Sequence, residues 1–149
     1  MRNYLIMLFM AAGTLVTFSS CDDDEDNPIN NGPSRAQVEQ VMQGGDWRVT
    51  NFSEAGTNHT DYFTNYDFTF GLSNVLTATN GTDTQVGIWS VDDDDDDDDV
   101  DFNIIFAGAG NFSELTEDWD IVELTTTKIR LRNVNDGGGG TDLLTFEKN

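Results

Sequence analysis

The stretch Tyr66–Val91, YDFTFGLSNVLTATNGTDTQVGIWSV, decides the fold. Phe68 and Phe70, then Trp89 and Val91, each recur at every second position. That period puts one set of side chains on one face of a strand. Two turn clusters, Gly71-Leu72-Ser73-Asn74 and Asn80-Gly81-Thr82-Asp83, break the alternation. Links this short join antiparallel neighbours. Outward from this stretch the same pattern predicts strands over 46–54, 61–70, 73–80, 84–91, 100–107, 118–125, 127–134 and 141–148. Asn135-Asp136 and the run Gly137 to Gly140 mark the last turn. Eight strands in sequential order close into a small barrel, which removes exposed edges.

A short helix precedes the strands. Ser34 is a suitable N-cap, with Gln37 three residues on as its capping-box partner. Val38, Val41 and Met42 form an apolar stripe on the predicted helix 35–43, and Gly44-Gly45 ends it. The predicted fold class is therefore all-β, an eight-stranded antiparallel up-and-down barrel preceded by one short helix.

Alternation also assigns an inward face: Trp47, Val49, Phe68, Phe70, Trp89, Val91, Phe102, Ile104, Phe106, Trp119, Ile121, Ile129, Leu131, Leu144 and Phe146. An eight-stranded barrel is either filled by its own side chains or holds one small ligand. So many rings favour filling. Phe52, Tyr62 and Phe63 remain as aromatics to line a shallow mouth.

The chain begins differently. Met1-Arg2 and the apolar run Tyr4 to Phe18 read as a signal peptide, shorter than the roughly 20 apolar residues of a spanning helix. The run ends at Ser19-Ser20-Cys21, and Cys21 is the only cysteine. A lone thiol has no partner within the chain. Lipidation gives it a use, whereas a plain secretory signal cleaved near Ser20 would leave it free. Phe18 stands where a lipoprotein signal usually carries Leu. The expected organisation is a signal peptide over 1–20, a lipidated acidic tether over 21–34 and a barrel domain over 35–149. Fully extended, that tether reaches roughly 45 Å at ~3.3 Å per residue.

The formal net charge is −21, from 28 acidic and 7 basic residues. Five acids lie in Asp22–Asp26 and eight in Asp92–Asp99. No basic footprint for nucleic acid is present. Asp92–Asp99 sits between two strands and reads as a solvated loop of repelling charges. Counted from Asp92 as a helical calcium loop, the sixth and twelfth positions are Asp97 and Asn103, where Gly and Glu are required.

The sequence argues against an enzyme. His59 is the only histidine, in the polar loop Gly56-Thr57-Asn58-His59-Thr60. No metal-ligand cluster, phosphate-cradling loop or nucleophile elbow is legible, so no catalytic residue, metal or cofactor is expected.

Two resemblances add to this reading. Cys21-Asp22-Asp23-Asp24-Glu25-Asp26 resembles the start of surface-exposed lipoproteins of the Bacteroidota. That resemblance implies that Asp22, Asp23, Asp24, Glu25 and Asp26 serve as an export signal, with Cys21 anchored in the outer membrane and the domain facing outward. From about residue 35 onward the chain resembles lipocalin-like domains. The motifs are Gly45-Asp46-Trp47-Arg48-Val49, then Tyr66 to Phe70, Val75 to Ala78, Gly87 to Val91, Leu115 to Ile121, Lys128 to Leu131 and Leu143 to Glu147, in that order. The resemblance implies that Trp47 plugs the closed end of the barrel, with Arg130 or Arg132 as its cation–π partner. It implies a non-catalytic lipoprotein that binds a small apolar ligand or an envelope partner. The alternative is a ligand-free structural or accessory module with a filled barrel.

Overall fold

The computed structural model describes residues 32–93, 100–108, 110–135 and 137–149. The segment expected to be a signal peptide, Cys21, Asp22–Asp26 and most of the Asp run lie outside the described residues.

The helix α1 spans Arg35–Met42. Ser34 caps it as its sequence predicts: Ser34 Oγ accepts from the Gln37 amide at 3.4 Å, and Gln37 Oε1 accepts from the Ser34 amide at 2.9 Å. Nine strands follow: β1 (Asp46–Glu54), β2 (Thr57–Asn58), β3 (Asp67–Phe70), β4 (Val75–Thr79), β5 (Thr84–Asp93), β6 (Val100–Ile105), β7 (Glu117–Leu124), β8 (Lys128–Asn135) and β9 (Gly140–Lys148). From β3 to β9 each strand pairs with the next, and β1 pairs with both β3 and β9. Eight antiparallel strands thus close into a barrel. The extra strand, β2, folds back on the end of β1 through Ala55-Gly56. Both turn residues have positive φ, 45° and 86°, the requirement of a type I′ hairpin.

The inward face follows the alternation closely. Of the fifteen expected residues only Ile121 is merely partly buried, because a register shift at Val122 interrupts β7. Gly87 shows how tightly the interior is filled. A Cβ there would lie 2.6 Å from the Ile105 carbonyl oxygen and 2.8 Å from the Phe106 ring. Phe106 occupies the space that a side chain at position 87 would need.

The strand expected at 61–70 is shorter than its pattern suggests. Thr60–Phe63 forms a 3-10 turn, and only Asp67–Phe70 is strand. Asn65, at φ 68°, takes the left-handed conformation that ends an extended run. Likewise the strand expected from 73 begins at Val75, because Ser73 and Asn74 are both left-handed. Another 3-10 turn, Asn111–Leu115, precedes β7 and buries Leu115.

The open mouth expected from Phe52, Tyr62 and Phe63 is absent. Phe52 and Phe63 are 0% and 1% exposed, and only Tyr62 is partly buried. Phe63 meets Phe52 edge-on at 5.5 Å and Phe112 at 5.3 Å between ring centroids. Phe112 in turn contacts Tyr66 and Phe106. The two 3-10 turns swing these rings over the barrel end and seal it.

The opposite end is sealed by α1. Val38 and Met42 are fully buried, and the Trp47 indole N–H donates to the Met42 carbonyl at 2.9 Å. Trp47 therefore stands at the end that α1 covers. Its cation is neither Arg130 nor Arg132. Lys148 Nζ lies 5.1 Å from the Trp47 ring centroid, while Arg130 and Arg132 face outward and pair with Glu123 and Asp120. The two arginines share their outward parity on β8 and have no path to the interior.

Trp47→Ala is expected to cost about 3–5 kcal/mol, the usual penalty for removing a large core ring. Phe63→Ala belongs in the same range, and Tyr62→Ala well below it. Urea unfolding of the three variants checks the ranking; a near-neutral Phe63→Ala would show that the ring seal is dispensable.

Candidate functional site

The lumen is the first place to seek a site, and it is occupied. Phe68, Phe70 and Phe146 meet edge to face at 5.2 and 5.3 Å, and Phe70 also packs against Trp89 and Phe102. These distances lie in the range of favourable ring pairs, so the rings stabilise one another as well as excluding water.

Concavities lie instead on the outside. An open groove of about 490 Å³ runs between α1 and the end of β7. Val41, Ile121 and Leu124 form its floor, and Gly32, Pro33 and Gln37 its rim. A second, of about 580 Å³, crosses the outer wall of β7, β8, β9 and β1. Lys128, Arg130 and Arg132 line it from alternate positions of β8. Each is ion-paired: Lys128 and Arg130 with Glu123, at 3.4 and 3.3 Å, and Arg132 with Asp120 at 3.0 Å. The hydrogen bond from Arg130 holds the Glu123 carboxyl below its ordinary range. Surface pairs of this kind contribute little stability. They do neutralise β8, the only strand rich in bases among the described residues.

Carboxylates gather at the end sealed by the ring cluster. Glu54 closes β1, Glu114 lies on the Asn111–Leu115 turn, and Asp142 is buried on β9. Asp142 is well served: it accepts from the Ala55 amide at 2.8 Å and from Asn135 Nδ2 at 3.0 Å. Glu114 Oε2 is buried without a donor. Burial raises the Glu54 carboxyl above its ordinary range; a hydrogen bond to Glu114 and that residue's charge raise it further. His59 Nε2 stands 3.7 Å from Glu54 Oε2, and its ring stacks on Tyr62 at 4.9 Å.

This cluster escaped sequence reasoning, since acids are too common here to mark a site. Its three members come from β1, a 3-10 turn and β9. Among the described residues no set of three or more His, Cys, Asp or Glu is arranged to hold a metal ion. Nor, among them, is any helix long and apolar enough to cross a membrane. Of the Asp run, Asp92 extends β5 and its Oδ2 accepts from Asn103 Nδ2.

No protein-family model matches this chain, and no curated protein matches it either. A solved structure of a DUF4847 family protein from Bacteroides vulgatus superposes with a TM-score of 0.48 at 18% identity. The match covers 75% of this chain and 97% of that one.

The raised Glu54 carboxyl predicts a pH dependence. The folded-state Glu54 carboxyl titrates above its ordinary value of 4.5. Its stabilising contribution is thus complete below pH 4.5 and is lost as pH rises through the folded value. Glu114→Gln removes the competing charge and is expected to flatten the decline between mildly acidic and neutral pH. Urea midpoints across that window, compared with the unsubstituted protein, provide the check.

Proposed function

We propose that this protein is a non-catalytic, lipid-anchored module of the bacterial cell surface. In this reading its lipocalin-like barrel carries no ligand in its lumen and acts through its outer walls as an accessory of the envelope. The observation that supports it most is the filled interior. A lumenal ligand would have to displace core rings such as Phe70 and Phe146, which are 1% and 0% exposed. Vacating one such ring costs about 3–5 kcal/mol before any ligand contact is made. The anchor rests on sequence: the apolar leader, the lone Cys21 and the acids from Asp22 to Asp26. More than one acyl chain at Cys21 would hold the domain firmly, whereas a single chain holds only reversibly.

A small apolar ligand is the second reading, and the groove beside α1 favours it. Its volume of about 490 Å³ suits a small molecule, and Val41, Ile121 and Leu124 supply an apolar floor.

Two measurements test the anchor and its export, and a third separates the two readings. Cys21→Ala is expected to leave an unprocessed or soluble precursor, seen by detergent partitioning and intact mass. Replacing Asp22–Asp26 with Ala should preserve lipidation but reduce cleavage by protease added to intact cells. Native mass spectrometry of the purified protein should show no bound organic molecule. A stoichiometric apolar passenger, lost on Val41→Arg, would replace the accessory reading with the ligand-binding one.

A further inference from the structure

The turn Asn111–Leu115 lays Phe112 across the ring-sealed end of the barrel. The Phe112 ring centroid stands 5.3 Å from Phe63, 6.1 Å from Phe68 and 5.2 Å from Phe106. Those three rings are buried, whereas Phe112 itself is only partly so. The far side of the turn is tied to the barrel. Trp119 Nε1 donates to the Leu115 carbonyl at 3.2 Å, and Thr116 Oγ1 accepts from the Phe106 amide at 2.9 Å. The near side closes on its own neighbour: the Ser113 amide and hydroxyl both donate to the Gly110 carbonyl, at 3.1 and 2.6 Å. What presses this side onto the barrel is the Phe112 ring and the Glu114 carboxyl.

The Glu114 contact is sensitive to protons. Its partner is Glu54 at the end of β1, within hydrogen-bonding reach. A protonated Glu54 can donate to Glu114, whereas two ionised carboxylates repel. Glu114 Oε2 is buried without a donor, so its ionised form carries a desolvation cost that contact with water would remove. His59 faces Glu54 at 3.7 Å and attracts it only when protonated. Asp142 faces Glu54 from β9 and adds a further negative charge. Asp142 also faces Glu117 at the start of β7, beside Asp118. Loss of the proton from Glu54 or from His59 thus weakens the closed turn in either case. The two side chains are 36% and 24% exposed, so protons reach them without the turn having to move.

We propose that the Asn111–Leu115 turn is a proton-controlled cover, shut at mildly acidic pH and lifted at neutral pH to uncover Phe63, Phe68 and Phe106. Burial, the bond to Glu114 and that residue's charge all raise the Glu54 carboxyl above its ordinary 4.5 while the turn is closed. Lifting the turn relieves all three, so opening releases a proton. Opening therefore becomes easier as pH rises through the closed-state value. One released proton limits the effect to about tenfold in the open-to-closed ratio per pH unit.

The motion is local. Leu115 keeps its bond to Trp119, and the strands keep their pairing, so the cover lifts for a fraction of the cost of unfolding the barrel. The closed state hides an aromatic surface that the open state presents, which makes an apolar mouth a conditional feature of this fold. The inference does not depend on the lipid anchor or on the use of the outer walls.

Hydrogen exchange of the purified full chain tests this, measured by mass spectrometry between about pH 5 and about pH 8 and corrected for the intrinsic rate. Protection of the peptide that carries the Ser113 and Thr116 amides should fall as pH rises, while protection in β8 and β9 holds. Fluorescence of Nile red, an uncharged apolar probe, should rise several-fold over the same window. Glu114→Gln should abolish both changes, because its amide can donate to an ionised Glu54. Glu39→Gln, on α1 at the other end, should leave both intact. Urea midpoints verify folding, and Glu54→Gln replaces Glu114→Gln should the latter be destabilised. Protection of the turn that does not vary with pH overturns the proposal, as does a fall that survives both glutamine variants. A parallel fall in β8 and β9 overturns it as well, since the whole barrel would then be opening. So does a fall without a rise in Nile red fluorescence, since the rings would have stayed covered.

Discussion

The indole of Trp47 is the contact on which the rest of this barrel depends. Its N–H is spent on the Met42 carbonyl at the end of α1, and its ring lies beneath Lys148 Nζ near the last residue of β9. Helix, first strand and last strand therefore meet at one side chain. Lys148 extends the link: its Nζ donates to the Thr126 carbonyl and its amide to the Thr127 carbonyl, in the turn between β7 and β8. A closed barrel must bring its first and last strands into register, the least local pairing it makes. Here that seam is fixed at its end by a buried ring. A buried ring with its only polar atom satisfied gives both large apolar burial and a single orientation.

The other tryptophans repeat the device. Trp89 donates to the Gly71 carbonyl at 3.0 Å, and Trp119 to the Leu115 carbonyl at 3.2 Å. Each indole thus ties the chain just before a strand, or a turn beside it, to the interior. The turn at Gly71–Asn74 is held twice, since Asn74 Nδ2 also donates to the Trp89 carbonyl. Left-handed residues such as Ser73 and Asn74 are costly for non-glycine backbones, and these bonds help offset that cost.

The strands and the helix cap were legible because both follow local rules. Period-two alternation identified all eight barrel strands, and Ser34 with Gln37 marked the helix start. What stayed hidden came from segments without period or from distant ones. Phe63 and Phe112 seal one barrel end from 3-10 turns, where no alternation shows which way a ring points. Phe52 lies on β1 beyond the register shift between Val49 and Asn51 in its pairing with β9, so the alternation that places Trp47 and Val49 inward does not carry through to it. Lys148 reached Trp47 only through the closure of β9 on β1, which left the outward arginines of β8 as the nearer guess. The Glu54–Glu114 pair was equally invisible, because in so acidic a chain only three-dimensional burial distinguishes two carboxyls from the rest.

With both ends sealed and the lumen packed, change inside this barrel is tightly constrained. A core substitution either leaves a cavity or overfills a space such as that between Gly87 and Phe106. The outer walls carry no such constraint, yet they differ systematically. The β7–β8 wall spends its bases neutralising neighbouring acids, whereas β4 and Thr84–Val91 hold no charge at all. Solubility does not require an uncharged stretch, since charge is plentiful elsewhere. Folding does not require it either, because the same strands would bury the same inward residues beneath charged outward ones. Neither packing nor solubility therefore dictates the uncharged stretches of this wall.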